Sequence, residues 1–241
     1  MHAATPANAP PQRGYPPLPH GTNHARNLDQ LANEVPANVL RACLFLLFLM
    51  HTIAGQAASQ PPPEVIADCI LCHGTDGRGN EPVAAPRIAG VEAWYLERQL
   101  EAFRMGWRGS HPEDDQGREM QPMAVMLEDD MLPSIAAWFA EQDTPDPSPT
   151  LTGRPERGAQ LYSLCATCHG TNGEGNRSLG APALAGQNDW YLARQLHLYR
   201  NQQRGHERED IYGQQMLAMI GPLVDEQAVL DVVAYINTFT E

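Results

Sequence analysis

Apolar positions fall in the same rhythm near the end of each half of the chain. Leu132, Ile135, Ala136 and Phe139 follow i, i+3, i+4, i+7 spacing, as do Val229, Val232, Val233 and Ile236, which predicts two helices with one buried face each. Acids stand at their expected starts, Glu128-Asp129-Asp130 and Asp225-Glu226, where they complement the helix dipole. Trp94-Tyr95-Leu96-Glu97-Arg98-Gln99-Leu100 and Trp190-Tyr191-Leu192-Ala193-Arg194-Gln195-Leu196 open two further amphipathic helices, running on to Phe103-Arg104 and Tyr199-Arg200. Shorter helices are predicted over 64–72 and 156–168, the second with Leu161 and Leu164 on one side. No stretch reads convincingly as a strand, so the predicted fold class is all-α.

These elements recur because the sequence does. At an offset of 96 residues, 69–100 and 165–196 share 18 identities in 32 positions without a gap, the mark of an internal repeat. Pro86-Arg87-Ile88-Ala89-Gly90 matches Pro182-Ala183-Leu184-Ala185-Gly186. The predicted organisation is a first domain over 61–142, a linker over 143–152 and a second domain over 153–241. Pro145, Pro147 and Pro149 keep the linker extended. Each domain is small for a self-sufficient core.

Residues 1–60 read differently. The first 38 are rich in Pro, Ala, Asn and Gln and poor in large apolar residues, and are predicted to be disordered. Arg41, the apolar run from Ala42 to Ile53 and the small residues after it have the layout of a secretory signal. A run this short falls below the ~20 residues of a membrane span. The long tail ahead of it places the expected translation start between Leu28 and Val39. The expected location is the periplasm, with a membrane anchor over 42–54 as the alternative. Cys43 is one apolar residue of that run.

The candidate chemistry lies in two motifs. Cys69-Ile70-Leu71-Cys72-His73 recurs as Cys165-Ala166-Thr167-Cys168-His169, and C-x-x-C-H is the attachment signature of c-type haem. Cysteines three apart on a helix share one face, so both thiols reach the two vinyl groups of one porphyrin. The adjacent His73 or His169 then lies under the iron as its proximal ligand. The expected cofactors are therefore two haem c groups, whose covalent attachment would add apolar mass to each core. The alternative, one tetrahedral zinc held by all four thiolates, has no need of a His after each pair. A sixth iron ligand should sit at matched places in both repeats. Met120 pairs with Met216 and Met123 with Met219, whereas His111, His197 and His206 match Glu207, Glu101 and Ser110. Met126 and Met131 have no Met counterpart and are expected in the core, His197 and His206 at the surface.

Two C-x-x-C-H repeats, each with P-x-L/I-x-G, W-Y-L-x-R-Q-L and a late Met, resemble the dihaem cytochromes c4 of the class I cytochrome c family, over 64–241. The resemblance implies two tandem class I domains, each wrapped around one haem with His–Met iron. The axial Met comes shortly before the acidic start of the last helix, which selects Met120 and Met216 and leaves Met123 and Met219 lining the pocket. It also implies that Pro86 and Pro182 turn a carbonyl to the proximal His. Tyr95, Arg98 and Gln99, with Tyr191, Arg194 and Gln195, would bond haem propionates or bridge the domains. Trp94 and Trp190 are expected in the core.

Charge narrows the partners. Acids outnumber basic residues 29 to 16, every basic residue is Arg, and the formal net charge is −13. Residues 61–150 hold 17 acids against 6 arginines, residues 151–241 10 against 7. A nucleic-acid partner would require a basic face. A redox partner with a basic patch suits the acidic half, although a plain solvated surface would look the same. The expected function is a periplasmic carrier, not an enzyme, that moves one electron per haem from respiratory donors to a terminal oxidase. The alternative is a dihaem subunit of a dehydrogenase complex. A catalytic haem enzyme would need one domain without its distal Met, and the repeat argues against that.

Overall fold

The structure, a computed structural model, describes residues 63–239. Eight α-helices carry them: α1 Pro63–His73, α2 Ala93–Arg104, α3 Asp115–Val125, α4 Met131–Ala140, α5 Pro155–His169, α6 Asp189–Arg200, α7 Ile211–Met219 and α8 Glu226–Ile236. Single turns of 3-10 helix lie at Glu81–Val83, Arg177–Leu179 and Asn237–Phe239. Among the described residues the only β features are isolated bridges, Asn80 to Ala85 and Asn176 to Ala181. The expected tail and signal or anchor segment over 1–60 lies outside the described residues. Among those described, no helix is long and apolar enough to cross a membrane.

Local chemistry sets the helix ends. Asp114, Asp210 and Asp225 accept from the backbone N–H groups of Gly117, Gly213 and Ala228 at 3.0, 2.9 and 2.7 Å, capping α3, α7 and α8. Gly74 and Gly170 stand at φ of +86° and +83°, a region that stops a helix cheaply only with Gly. The stop leaves His73 and His169 as the last residues of α1 and α5.

Packing follows the predicted stripes. In the second half Tyr162, Leu192, Val229, Val232, Val233 and Ile236 form one buried cluster, each such side chain stabilising the fold by roughly 1.5–3 kcal/mol. In the first half the fully buried cluster is smaller, Ile66, Ile135 and Phe139. α1 there is 11 residues against 15 for α5. The longer α5 is fixed to α8 by Asp231, whose carboxylate is wholly buried. It accepts from Arg154 N, Arg154 Nη2, Arg157 Nη1 and Gln227 Nε2 at 2.8–2.9 Å.

The linker is held on both sides. Asp189 accepts from Thr150 N and Leu151 N at 2.6 and 2.7 Å. Arg87 donates to Thr144 O at 2.9 Å and pairs with Asp146 at 2.7 Å.

The six helices predicted from apolar spacing are all present. α3 and α7 are additional, because Gly117 and Pro122 interrupt one and Gly213-Gln214-Gln215 weaken the other. Met126 is 67 % exposed, contrary to the core position expected for it, since it follows α3 at the edge of a cavity and not under α4. Trp94 and Trp190 are half-buried, with Arg98 and Arg194 over their rings at 4.9 and 5.6 Å. His197 and His206 are partly exposed and reach Glu226 and Glu207 at 3.1 Å.

Burial opposes the charged form of Asp231, yet the bonds from Arg154, Gln227 and Arg157 outweigh it and hold the carboxyl below the usual range. A folded pKa below the unfolded one gives stability that is full above the unfolded value, near 3.8. That stability drains away as pH falls toward the folded value. Asp231→Asn should therefore lower the denaturation midpoint at pH 7 and flatten its dependence below pH ~4. An unchanged acid limb in the variant would assign acid unfolding to other carboxyls.

Candidate haem sites

Two cavities, of about 490 and 420 Å³, occupy matching places in the halves, within the ~300–1,000 Å³ usual for small-molecule and cofactor sites. Cys69, Cys72, His73, Pro86, Met120 and Met123 line the first. Cys165, Cys168, His169, Pro182, Met216 and Met219 line the second. Helices α1 and α5 thus bring a thiol pair and imidazole to each cavity, α3 brings Met120 and Met123 to the first, and α7 brings Met216 and Met219 to the second. All eight sequence-predicted residues meet as two sets of four.

Each imidazole is fixed from behind. Nδ1 of His73 donates to Pro86 O at 2.7 Å, and Nδ1 of His169 to Pro182 O at 2.7 Å. This bond fixes the tautomer, so that Nε2 is free to bind iron. Burial lowers the pKa of both imidazoles, only partly opposed by the proline carbonyls, which favours the neutral, metal-binding form. Burial likewise pushes the Cys69 thiol up to about 11, with Asp68 adding to the rise, and raises Cys165.

The turns after the motifs hold the proline carbonyls in place. At Gly175, with φ of +80°, a Cβ would stand 2.5 Å from Ala183 N and 2.7 Å from Pro182 C. Gly79 meets Arg87 N and Pro86 C in the same way, at 2.7 and 3.0 Å.

Each cavity is completed by the other half. Tyr191, Arg194 and Gln195 line the first; Tyr95, Arg98, Gln99 and Arg108 line the second. Arg98 Nη2 donates to Gly180 O at 2.6 Å and Arg194 Nη2 to Ala84 O at 3.0 Å. The residues read as propionate ligands or bridges do bridge the halves.

Arg108 and Arg204 were not among the residues the sequence singled out. They occupy equivalent places in the repeat, each in an Arg-Gly pair just after α2 or α6, and that pairing was the available signal. Their backbone N–H groups bond back to Ala102 O and Leu198 O at 3.1 and 3.2 Å. Arg108 donates to Gln99 Oε1 and Gln195 Oε1 at 2.8 and 3.2 Å, and Arg204 donates to the same two oxygens at 2.8 and 2.6 Å. Burial alone would raise the Tyr191 phenol; the neighbouring Arg108 and Arg204 outweigh it and hold its pKa below the usual value.

The residues present fit haem c. Thiols, imidazole and thioether face one apolar-walled space, and the buried Nε atoms of Arg108, Arg194 and Arg204 have no hydrogen-bond partner among the described residues. Such donors suit carboxylates at the rim of a porphyrin.

The family model described as Cytochrome c matches residues 63–143 and 155–240. The chain is 36 % identical over 166 residues to the thiosulfate dehydrogenase electron acceptor of Stutzerimonas stutzeri, covering 63 % of this chain and 71 % of that one. It is 33 % identical over 174 residues to cytochrome c4 of Azotobacter vinelandii, covering 68 % and 80 %. The solved cytochrome c4 of Acidithiobacillus ferrooxidans superposes with a TM-score of 0.58 at 27 % identity, over 71 % of this chain and 99 % of that one.

Gly175→Ala should destabilise the haem-loaded protein by at least ~2 kcal/mol and displace the Pro182 carbonyl. Faster exchange of the His169 Nδ1 proton, followed by NMR, would show the displacement. Slow exchange at reduced stability would separate the turn from the imidazole bond.

Proposed function

We propose, from the premise that this chain belongs to the cytochrome c family, that it is a periplasmic dihaem carrier working between a dehydrogenase and a terminal oxidase. The chain is a dihaem electron-transfer cytochrome with two tandem class I domains and two covalent haem c groups. When bound, each haem supplies one reversible one-electron step. The chain's residues do the rest. Cys69 and Cys72 anchor the first group, and Cys165 and Cys168 the second. His73 with Met120, and His169 with Met216, would hold the iron of each group. So held, the iron would offer no open place for a substrate, and a thioether ligand would raise its potential. The observation that carries this reading is the doubled set of thiol pair, carbonyl-held imidazole and thioether in one cavity.

Kinship supports the donor, and the surface supports a transient redox partner. A similar protein of Stutzerimonas stutzeri is named as a thiosulfate dehydrogenase electron acceptor, which supports a dehydrogenase as donor here. Exposed Val83 and Met126 line the first cavity, and so do the exposed acids Glu119 and Glu128. Exposed apolar and acidic groups at one cavity suit a transient partner with a basic rim. The signal-like layout around residues 42–54 supports export to the periplasm, because C-x-x-C-H is loaded with haem outside the cytoplasm.

The reduced protein, mixed with membranes of its source in a stopped-flow instrument, should be oxidised quickly, and less quickly as salt rises. Absence of turnover, with the protein found only in a larger complex, would replace the carrier by a fixed dehydrogenase subunit. Met120→Ala and Met216→Ala should each remove about half of the far-red Met–ferric band. Loss of that band in Met123→Ala would move the ligand assignment to the other Met pair.

A further inference from the structure

Two peptide groups in this protein bond in two directions at once. The unit joining Pro86 to Arg87 accepts from His73 Nδ1 through its carbonyl at 2.7 Å and donates its N–H to Asn188 Oδ1 at 2.7 Å. The unit joining Pro182 to Ala183 accepts from His169 Nδ1 at 2.7 Å and donates to Glu92 Oε1 at 3.0 Å. In both cases the imidazole belongs to the same half as the peptide and the outer acceptor to the other half. Asn188 and Glu92 occupy equivalent places in the repeat, each at the N-cap of the helix that opens with Trp-Tyr-Leu.

We propose that these peptides are relays, through which Asn188 and Glu92 set how strongly the proximal imidazole of the opposite half binds iron. A peptide whose N–H is taken by a good acceptor has a more polarised carbonyl, and hydrogen bonds in such a chain strengthen one another. A stronger carbonyl draws the Nδ1 proton further and makes the imidazole a better donor to ferric iron. Removing the outer acceptor weakens the carbonyl and favours the reduced state of that haem. Giving it a full charge does the reverse.

The two relays end differently. Asn188 offers a neutral amide oxygen that is itself buried, close against Gly79. Glu92 offers a carboxylate whose second oxygen is buried without a hydrogen-bond partner among the described residues. The chain therefore carries a built-in difference between its halves at the matched positions of Glu92 and Asn188. Asn188 and Glu92 are positioning residues: they touch neither thiol nor imidazole and act through a backbone bond across the interface.

The relay rests on His73 and His169 being the proximal ligands, and its test uses the haem-loaded protein. Asn188→Ala leaves the formal charge unchanged and lies in the second half, yet it should shift the reduction equilibrium of the first-half haem about threefold toward the reduced state. That corresponds to roughly 28 mV at ~59 mV per tenfold for one electron. Asn188→Asp should shift the same haem the opposite way. The His73 Nδ1 proton resonance should move upfield in the first variant and downfield in the second, with that of His169 unmoved. Glu92→Gln should favour the reduced state of the second-half haem alone. If Asn188→Ala fails to hold its haems, Asn188→Asp decides through the His73 resonance. Shifts of one sign in both Asn188 variants, an unmoved His73 resonance, or a response confined to His169 would each overturn the relay. A wild-type protein lacking the Met–ferric band would overturn the ligand set instead, and an intact band with an unmoved His73 resonance overturns only the relay.

Discussion

Two guanidinium groups, those of Arg108 and Arg204, are buried between the halves, and their need for acceptors governs how the halves meet. A buried cation without hydrogen bonds is strongly disfavoured. Here each cation reaches both Gln99 Oε1 and Gln195 Oε1, one oxygen from each half. Neither half alone satisfies its own arginine. The arrangement fixes the register of α2 against α6 and so decides which polar side chains line which cavity. Both Nε atoms remain without a partner among the described residues, which leaves donors for the carboxylates that a porphyrin brings. Interface and cofactor sites are therefore one construction, and the relays through Asn188 and Glu92 lie along the same seam.

The repeat is close at the sites and loose elsewhere. Motif, proline carbonyl, Met helix and interface arginine recur at one spacing. The supports differ: Asp231 locks α5 to α8 in the second half, and the matching place in the apolar pattern of α4 holds Ser134, whose hydroxyl donates to Met131 O. Arg87 fastens the first proximal loop to the linker, where the second half has Ala183. The acid excess falls mainly on the first half. Chemistry has been kept twice while stability and surface have diverged.

Much of this was legible in the residues alone. Apolar spacing gave six helices because their stripes face protein; α3 and α7 turn their Met side chains to a cofactor cavity, so their pattern matches no protein core. The Asp-x-x-Gly caps at Asp114 and Asp210 are the local signal that could have revealed them. The haem motifs were legible because covalent attachment demands fixed spacing. The proline carbonyls followed from family resemblance, and their partners across the interface did not. A bond from Arg87 N to Asn188 spans 101 residues and involves a backbone group, which leaves no trace in residue type. Arg108 and Arg204 were visible as a repeated Arg-Gly pair, but nothing local marks a surface-type residue as buried until its partners fold against it.

That last point bears on why such a chain is doubled. A single domain of this kind would expose Arg108, Gln99 and Tyr95 to water, and a wall of its cavity would be solvent. Charge changes at its iron would then be met by reorienting water, which stabilises either state only after rearrangement. In the pair, fixed guanidinium and amide groups stand where that water would be, already oriented and at low local dielectric. Fixed dipoles respond little when an electron arrives or leaves, so less rearrangement accompanies each transfer. The halves meet mainly through neutral glutamines and shared arginines, and the Glu92 carboxylate is held against the second proximal loop by the Ala183 N–H. Fixed groups of the other half thus stand at the one cavity wall that each half does not build for itself.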